Sequence, residues 1–75
     1  MNILITGGAG YIGSELTGFF LNSGHKVKAI DTLEYGPTSL LRYVSNPNFD
    51  FDKLDVRRKE LLKKDLDWCD VIIPL

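Results

Sequence analysis

The chain holds a single cysteine, Cys69, in 75 residues. That excludes an internal disulfide and any metal cage built on several cysteines, and it suits a reducing compartment. Long hydrophobic runs are missing as well, and none approaches the ~20 residues that a bilayer-spanning helix needs. The opening Met1-Asn2-Ile3-Leu4-Ile5-Thr6 has neither the basic stretch nor the long apolar stretch of a secretory leader, so a cytoplasmic location is expected. Nor is there an excess of one charge. Nine basic side chains stand against 10 acidic ones, a formal net of −1, which offers no electrostatic reason to meet nucleic acid or an anionic membrane. Repeats, low-complexity tracts and flexible linkers are also absent. What remains is 44% hydrophobic and 25% charged, the balance of a globular chain rather than a disordered one. At about half the length of an ordinary domain, such a chain buries only ~60% of the surface its unfolded form exposes. Its core must be thin.

The hydrophobic pattern alternates between two periods. Ile3-Leu4-Ile5 is an unalternating run ended by Thr6-Gly7-Gly8-Ala9-Gly10, which predicts a strand buried on both faces, as in a parallel sheet. Ile12, Leu16, Phe19 and Phe20 then recur at helical spacing, and Asn22-Ser23-Gly24 supplies a stop. Lys26 to Asp31 predicts a second strand with lysines only at its start, completing a right-handed strand–helix–strand unit. A loop from Thr32 to Pro37 follows. Thr38 or Ser39 is placed to cap a short helix carrying Leu40, Leu41 and Val44 before Asn46-Pro47. Phe49 to Leu54 predicts a third strand, and Asp55 the cap of a helix whose Leu61, Leu62 and Leu66 face inward. Val71-Ile72-Ile73 begins a fourth strand. This order predicts a parallel α/β sheet with helices on both faces.

The fourth strand has a consequence of its own. Placed beside the first, it leaves an apolar edge unpaired, a liability that natural domains avoid. Residues 1–75 are therefore expected to be the front portion of a larger domain.

The strongest chemical signal is Gly7, Gly8, Gly10 and Gly13, between a predicted strand and a predicted helix. A turn this tight needs backbone angles that side chains forbid, and a missing Cβ lets the main chain approach a pyrophosphate. Free N–H groups of the helix's first turn, together with its partial positive charge, then bind the phosphates. Two registers fit: Gly8-x-Gly10-x-x-Gly13, or Thr6-Gly7-x-x-Gly10-x-x-Gly13. No Gly-Lys-Ser/Thr follows, which excludes a phosphate-only P-loop. Asp31 ends the second strand 21 residues after Gly10, where a dinucleotide site needs a carboxylate for the adenosine ribose. It would repel a 2′-phosphate, and the neighbouring Thr32 and Leu33 offer no arginine to neutralise one. NAD is therefore expected over NADP, although the first register also permits a flavin or another adenosine-containing ligand.

These residues resemble the extended short-chain dehydrogenase/reductase family, the NAD-dependent nucleotide-sugar epimerases and dehydratases. Thr6-Gly7-Gly8-Ala9-Gly10-Tyr11-Ile12-Gly13 is similar to its N-terminal motif almost letter for letter. Asp31-Thr32-Leu33 resembles its Asp-Asn-Leu, with Thr for Asn; Asp55-Val56-Arg57 resembles its Asp-aliphatic-Arg; Val71 to Leu75 resembles its fourth strand, with Pro74 a departure. The resemblance implies a Rossmann-type doubly wound sheet of which this is the four-stranded N-terminal portion. It implies NAD as cofactor, held by Gly7, Gly10, Tyr11, Ile12 and Gly13 at the pyrophosphate and by Asp31, Thr32 and Leu33 around the adenosine ribose. Asp55 and Val56 would lie at the adenine edge and Leu75 near the central ribose. A nucleotide-sugar substrate would be bound by the remainder of the protein, and a homodimer is compatible with the family's habits.

The family's catalytic Tyr-x-x-x-Lys pair, in which the lysine lowers the tyrosine pKa, has no match here. Four positions beyond Tyr11, Tyr35 and Tyr43 stand Glu15, Ser39 and Pro47. No catalytic residue is assigned within residues 1–75, and a non-catalytic NAD-sensing Rossmann module is the alternative reading. His25 reads as an exposed turn residue, Cys69 as a small packing residue, and Arg57-Arg58-Lys59 with Lys63-Lys64 as a solvated helix face. Arg42 and Tyr43 are read as helix-packing residues or as ligand contacts.

Overall fold

The computed structural model describes residues 1–32, 38–53 and 59–75. Its strands are β1 (Asn2–Thr6), β2 (Lys26–Asp31), β3 (Phe49–Lys53) and β4 (Val71–Pro74). All pair in parallel, in the order β3-β2-β1-β4. Helix α1 (Tyr11–Asn22) crosses from β1 to β2, and α2 (Lys59–Trp68) precedes β4. A 3₁₀ helix, Thr38–Tyr43, lies between β2 and β3. The Leu54 end of the predicted third strand and the predicted Asp55 cap lie outside the described residues.

The unbroken apolar run of β1 has the expected cause. Ile3 and Ile5 pack with Val27 and Leu21 on one face, and Leu4 packs with Ile30 and Cys69 on the other. The two helices thus cover opposite faces, and Cys69 is a packing residue as read from sequence. Strand order runs outward from β1 through β2 to β3, then returns to the other side of β1 for β4. The reversal places a crevice at the carboxyl ends of β1 and β4, the position where open α/β sheets bind ligands. This is the Rossmann-type arrangement.

Several expectations about side chains need correction. In α1 the buried residues are Gly13, Ser14, Thr17 and Leu21, whereas Ile12 and Phe19 are 63% and 64% exposed. Glycine, serine and threonine let the helix approach the sheet closely, so the apolar stripe is rotated off the contact and only Leu16 and Phe20 reach the core from its edge. The short helix is 3₁₀ and ends at Tyr43, with Val44 exposed in the turn beyond. Its Ser39 hydroxyl is not a cap but donates to the carbonyl of Ala9. In α2, Leu66 is 44% exposed while Asp65 is 3% exposed; the side chains of Leu61 and Leu62 lie outside the described residues. Of the basic groups, Lys63 and Lys64 are exposed as read, and Arg57 and Arg58 lie outside the described residues. His25 is half-buried, with its ring 6.1 Å from that of Phe20 in an edge contact, rather than a solvated turn.

Asp65 points inward because Lys28 is there to meet it. The Lys28 ammonium donates to Asp65 Oδ1 and lies 3.1 Å from Asp52 Oδ2. Burial, the largest single influence, pulls Lys28 down, but the hydrogen bonds and charges of Asp65 and Asp52 together push it above its ordinary 10.5. Folding therefore favours the protonated lysine. Its contribution to stability is complete below pH 10.5 and fades as pH rises through the raised value. Urea midpoints of the protein should show an alkaline decline above that pH which a Lys28→Met variant lacks; identical slopes would disprove the linkage. A groove of about 340 Å³ opens beside this pair, between Lys26, Phe49 and Trp68 at the amino ends of β2 and β3. It lies at the end of the sheet opposite the crevice.

Candidate functional site

The glycine turn is built where β1 delivers its last residue. Gly7 and Gly8 both donate to the carbonyl of Ile30, at 2.7 and 3.3 Å, so the turn is hung on the end of β2. Gly7 has φ +74°, a left-handed conformation that an L side chain resists. Gly10 then bonds back to Gly7 O at 3.2 Å, and the helix begins when Ser14 N–H donates to Gly10 O at 2.9 Å. A helix leaves its first N–H groups without intrahelical acceptors. Here those of Tyr11, Ile12 and Gly13 open together at the amino end of α1, where the aligned peptide dipoles place about half a positive charge. No acidic side chain stands in the first turn to compete for it.

The motif glycines divide by what a side chain would meet. A Cβ on Gly8 would lie 2.6 Å from Ala29 Cβ, and one on Gly13 would lie 2.7 Å from both Gly7 O and Gly8 Cα. So Gly8 makes the approach to β2, while Gly13 seats the helix on the turn itself rather than on a strand. Gly10 is different. It has extended angles, φ −70° and ψ 170°, and its Cβ would meet only Gly7 O at 3.5 Å, an ordinary contact. Nothing among the described residues requires glycine there.

Asp31 closes the other side. Its Oδ2 accepts the Ala9 N–H at 3.0 Å, which sets the carboxylate beside the turn at the carboxyl end of β2. Leu75 follows β4, donating its N–H to Thr6 O at 3.1 Å. Its own carbonyl lies 3.2 Å from where a Gly7 Cβ would be. Gly7, Gly10, Tyr11, Ile12, Gly13, Asp31 and Leu75 are thus gathered around one crevice. Thr32 is exposed just beyond β2. Leu33, Asp55 and Val56 lie outside the described residues.

The 3₁₀ helix supplies polar groups that the sequence left open between helix packing and ligand contact. Arg42 Nη2 donates to Ser14 Oγ and to Glu15 Oε1, each at 2.9 Å. Tyr43 Oη donates to Ser14 O at 2.8 Å and closes over Gly18. These are packing contacts between the 3₁₀ helix and α1. Their only trace in the sequence is a run of hydroxyl and guanidinium groups after the loop, with no indication of partners some 30 residues back.

Compared with known proteins, residues 3–75 match the NAD dependent epimerase/dehydratase family. The chain belongs to that family. Among relatives, it is 38% identical over 76 residues to a low-salt glycan biosynthesis protein of Haloferax volcanii, covering 97% of this chain and 24% of the relative. It is 46% identical over 59 residues to dTDP-glucose 4,6-dehydratase of Haemophilus influenzae, covering 75% and 18%. The fold of dTDP-glucose 4,6-dehydratase from Bacillus anthracis, solved in complex with NAD, superposes with a TM-score of 0.90 at 34% identity, covering 100% of this chain and 26% of that one. This epimerase/dehydratase family member therefore spans about a quarter or less of the length of those proteins. Within its 75 residues no tyrosine is followed by lysine at the fourth position.

Proposed function

We propose that this chain forms the dinucleotide-binding portion of an NAD-dependent enzyme that epimerises or dehydrates a nucleotide-linked sugar, with the rest of the domain and the substrate-binding part supplied by further residues. The observation that carries the reading is the convergence of three open N–H groups of α1 and the Asp31 carboxylate on one crevice at the switch in strand order. That donor set fits a diphosphate joined to a ribose. Membership of an NAD dependent family and the likeness to an NAD complex of dTDP-glucose 4,6-dehydratase support it.

Each residue then has a physical task. The N–H groups of Tyr11, Ile12 and Gly13 neutralise the pyrophosphate without a basic side chain, and Gly10 leaves room for its oxygens. Asp31 accepts the Ala9 N–H on Oδ2 and meets the ribose hydroxyls with its carboxylate. Thr32 and Leu33 flank that ribose, Asp55 and Val56 the adenine, and Leu75 borders the path toward the nicotinamide half. Bound NAD would supply a reversible hydride acceptor for the sugar. The proton-transfer pair belongs to residues outside 1–75.

Cofactor choice gives the test. Titrating the protein by calorimetry should show saturable binding of NAD, NADP weaker by roughly tenfold or more because its phosphate faces Asp31, and no binding of FAD. Joint replacement Asp31→Ser and Thr32→Arg should reverse that order. Preference for FAD, no binding of NAD, or an unmoved NAD-to-NADP ratio in the double variant would each defeat the reading.

A further inference from the structure

Both main-chain polar groups of Ala9, at the apex of the glycine turn, are taken by side chains distant in sequence. Its N–H goes to Asp31 Oδ2 at 3.0 Å, and its carbonyl accepts the Ser39 hydroxyl at 2.5 Å. Ser39 is itself tied down, since its carbonyl accepts the Ser14 hydroxyl at 3.1 Å. Ser14 sits just past the three open N–H groups of α1, where it also takes the Arg42 guanidinium on Oγ and the Tyr43 hydroxyl on its carbonyl. The 3₁₀ helix is thereby fastened to both ends of the segment that carries those donors.

A tight glycine-rich turn has much conformational freedom to lose when it closes on a ligand. A turn whose apex is held from two sides has lost that freedom on folding, and binding is stronger by the ordering it no longer requires. We infer that Ser39 is a positioning residue for the phosphate-binding turn: with Asp31 it clamps Ala9, so that the Tyr11, Ile12 and Gly13 amides are aimed before a diphosphate arrives. Ser39 acts through Ala9 and touches no ligand atom. Asp31 accordingly belongs both to the clamp and to the proposed ribose site. This inference rests on the reading of the crevice as a dinucleotide site, and it assigns the clamp a ligand-specific effect.

A clamp on the turn must act on the diphosphate and spare the nucleoside. In the full chain, Ser39→Ala should weaken NAD and ADP alike by about fivefold, the worth of one hydrogen bond, while adenosine, followed by NMR, binds unchanged. Ser39→Thr should restore diphosphate affinity. Tyr43→Phe, which removes a bond of the same 3₁₀ helix but not the clamp, should leave NAD affinity within twofold. If Ser39→Ala does not fold, Ser39→Cys, of similar size with a weak donor, should show the same selective loss. Equal loss for NAD, ADP and adenosine, or NAD and ADP affinities within twofold of the parent, would overturn the clamp while leaving the cofactor site standing. Failure of the unaltered protein to bind NAD or ADP would instead remove the site on which it rests.

Discussion

Gly10→Ala should fold like the parent and lose NAD, whereas Gly13→Ala should lose stability first. The two glycines stand three apart in the same motif, and only the space around them differs. At position 10 the angles suit alanine and, among the described residues, the new methyl meets no atom closer than 3.5 Å. The expected stability change is at most about 1 kcal/mol, the difference between glycine and alanine at a helix N-cap. The methyl would instead occupy space that the proposed pyrophosphate needs, and an overpacked contact of roughly 1–3 kcal/mol corresponds to about a 5- to 150-fold loss of affinity. At position 13 the methyl would lie 2.7 Å from Gly7 O and Gly8 Cα. Both are main-chain atoms already fixed by the turn, so they cannot swing aside. Alanine gains about 1 kcal/mol of helix propensity over glycine, but overpacking against rigid backbone costs up to ~3 kcal/mol, leaving a net loss of about 2. Thermal unfolding and NAD titration of both variants separate the two roles. A Gly10→Ala protein that binds NAD as the parent does would mean that no diphosphate passes over the turn.

The second large effect lies at the far side of the sheet. Lys28→Met should destabilise the protein by about 3 kcal/mol, since removing one partner strands a buried charge on Asp65. For a chain of this size that amounts to a fall of roughly 10–20 °C in melting temperature. The reciprocal change, Asp65→Asn, should be milder. Lys28 keeps Asp52, a half-exposed carboxylate 3.1 Å away, and the groove beside it admits water. Replacing both, Lys28→Met with Asp65→Leu, should recover much of the loss, because an apolar pair needs no desolvated charge. Were the interaction an ordinary surface ion pair, each single variant would fall within about 1 kcal/mol of the parent. Urea midpoints of the four proteins decide between these outcomes.

Both predictions turn on features of unequal visibility in the chain. The sheet was legible because its signals are local. Ile3-Leu4-Ile5 lacks alternation because it is buried on both faces, and the glycines announce a turn at its end; Val71-Ile72-Ile73 reads the same way, although on the edge of the described sheet Ile72 is 44% exposed. Asp31 could be singled out because a strand tip one crossover after such a turn faces the same crevice in any right-handed unit. Those inferences need only period, spacing and handedness.

What each helix buries was not legible. The heptad-like stripe of α1 named Ile12 and Phe19, yet the sheet selected Gly13, Ser14 and Thr17, because close approach depends on the smallest residues and not on the most apolar. In α2 the same logic was inverted by charge. Asp65 turned inward because Lys28 waited 37 positions away in the chain, a coincidence that no local window contains. Ser39 looked like a cap since serine before a short helix usually is one, and only folding brought Ala9 within its reach. The chain by itself thus determined the order of elements, the parallel sheet and the place of the glycine turn, all set by short-range periodicity and backbone stereochemistry. Tertiary structure alone decided which side chains meet across the layers, since those contacts join segments far apart in sequence and are chosen by available space and unpaired charge.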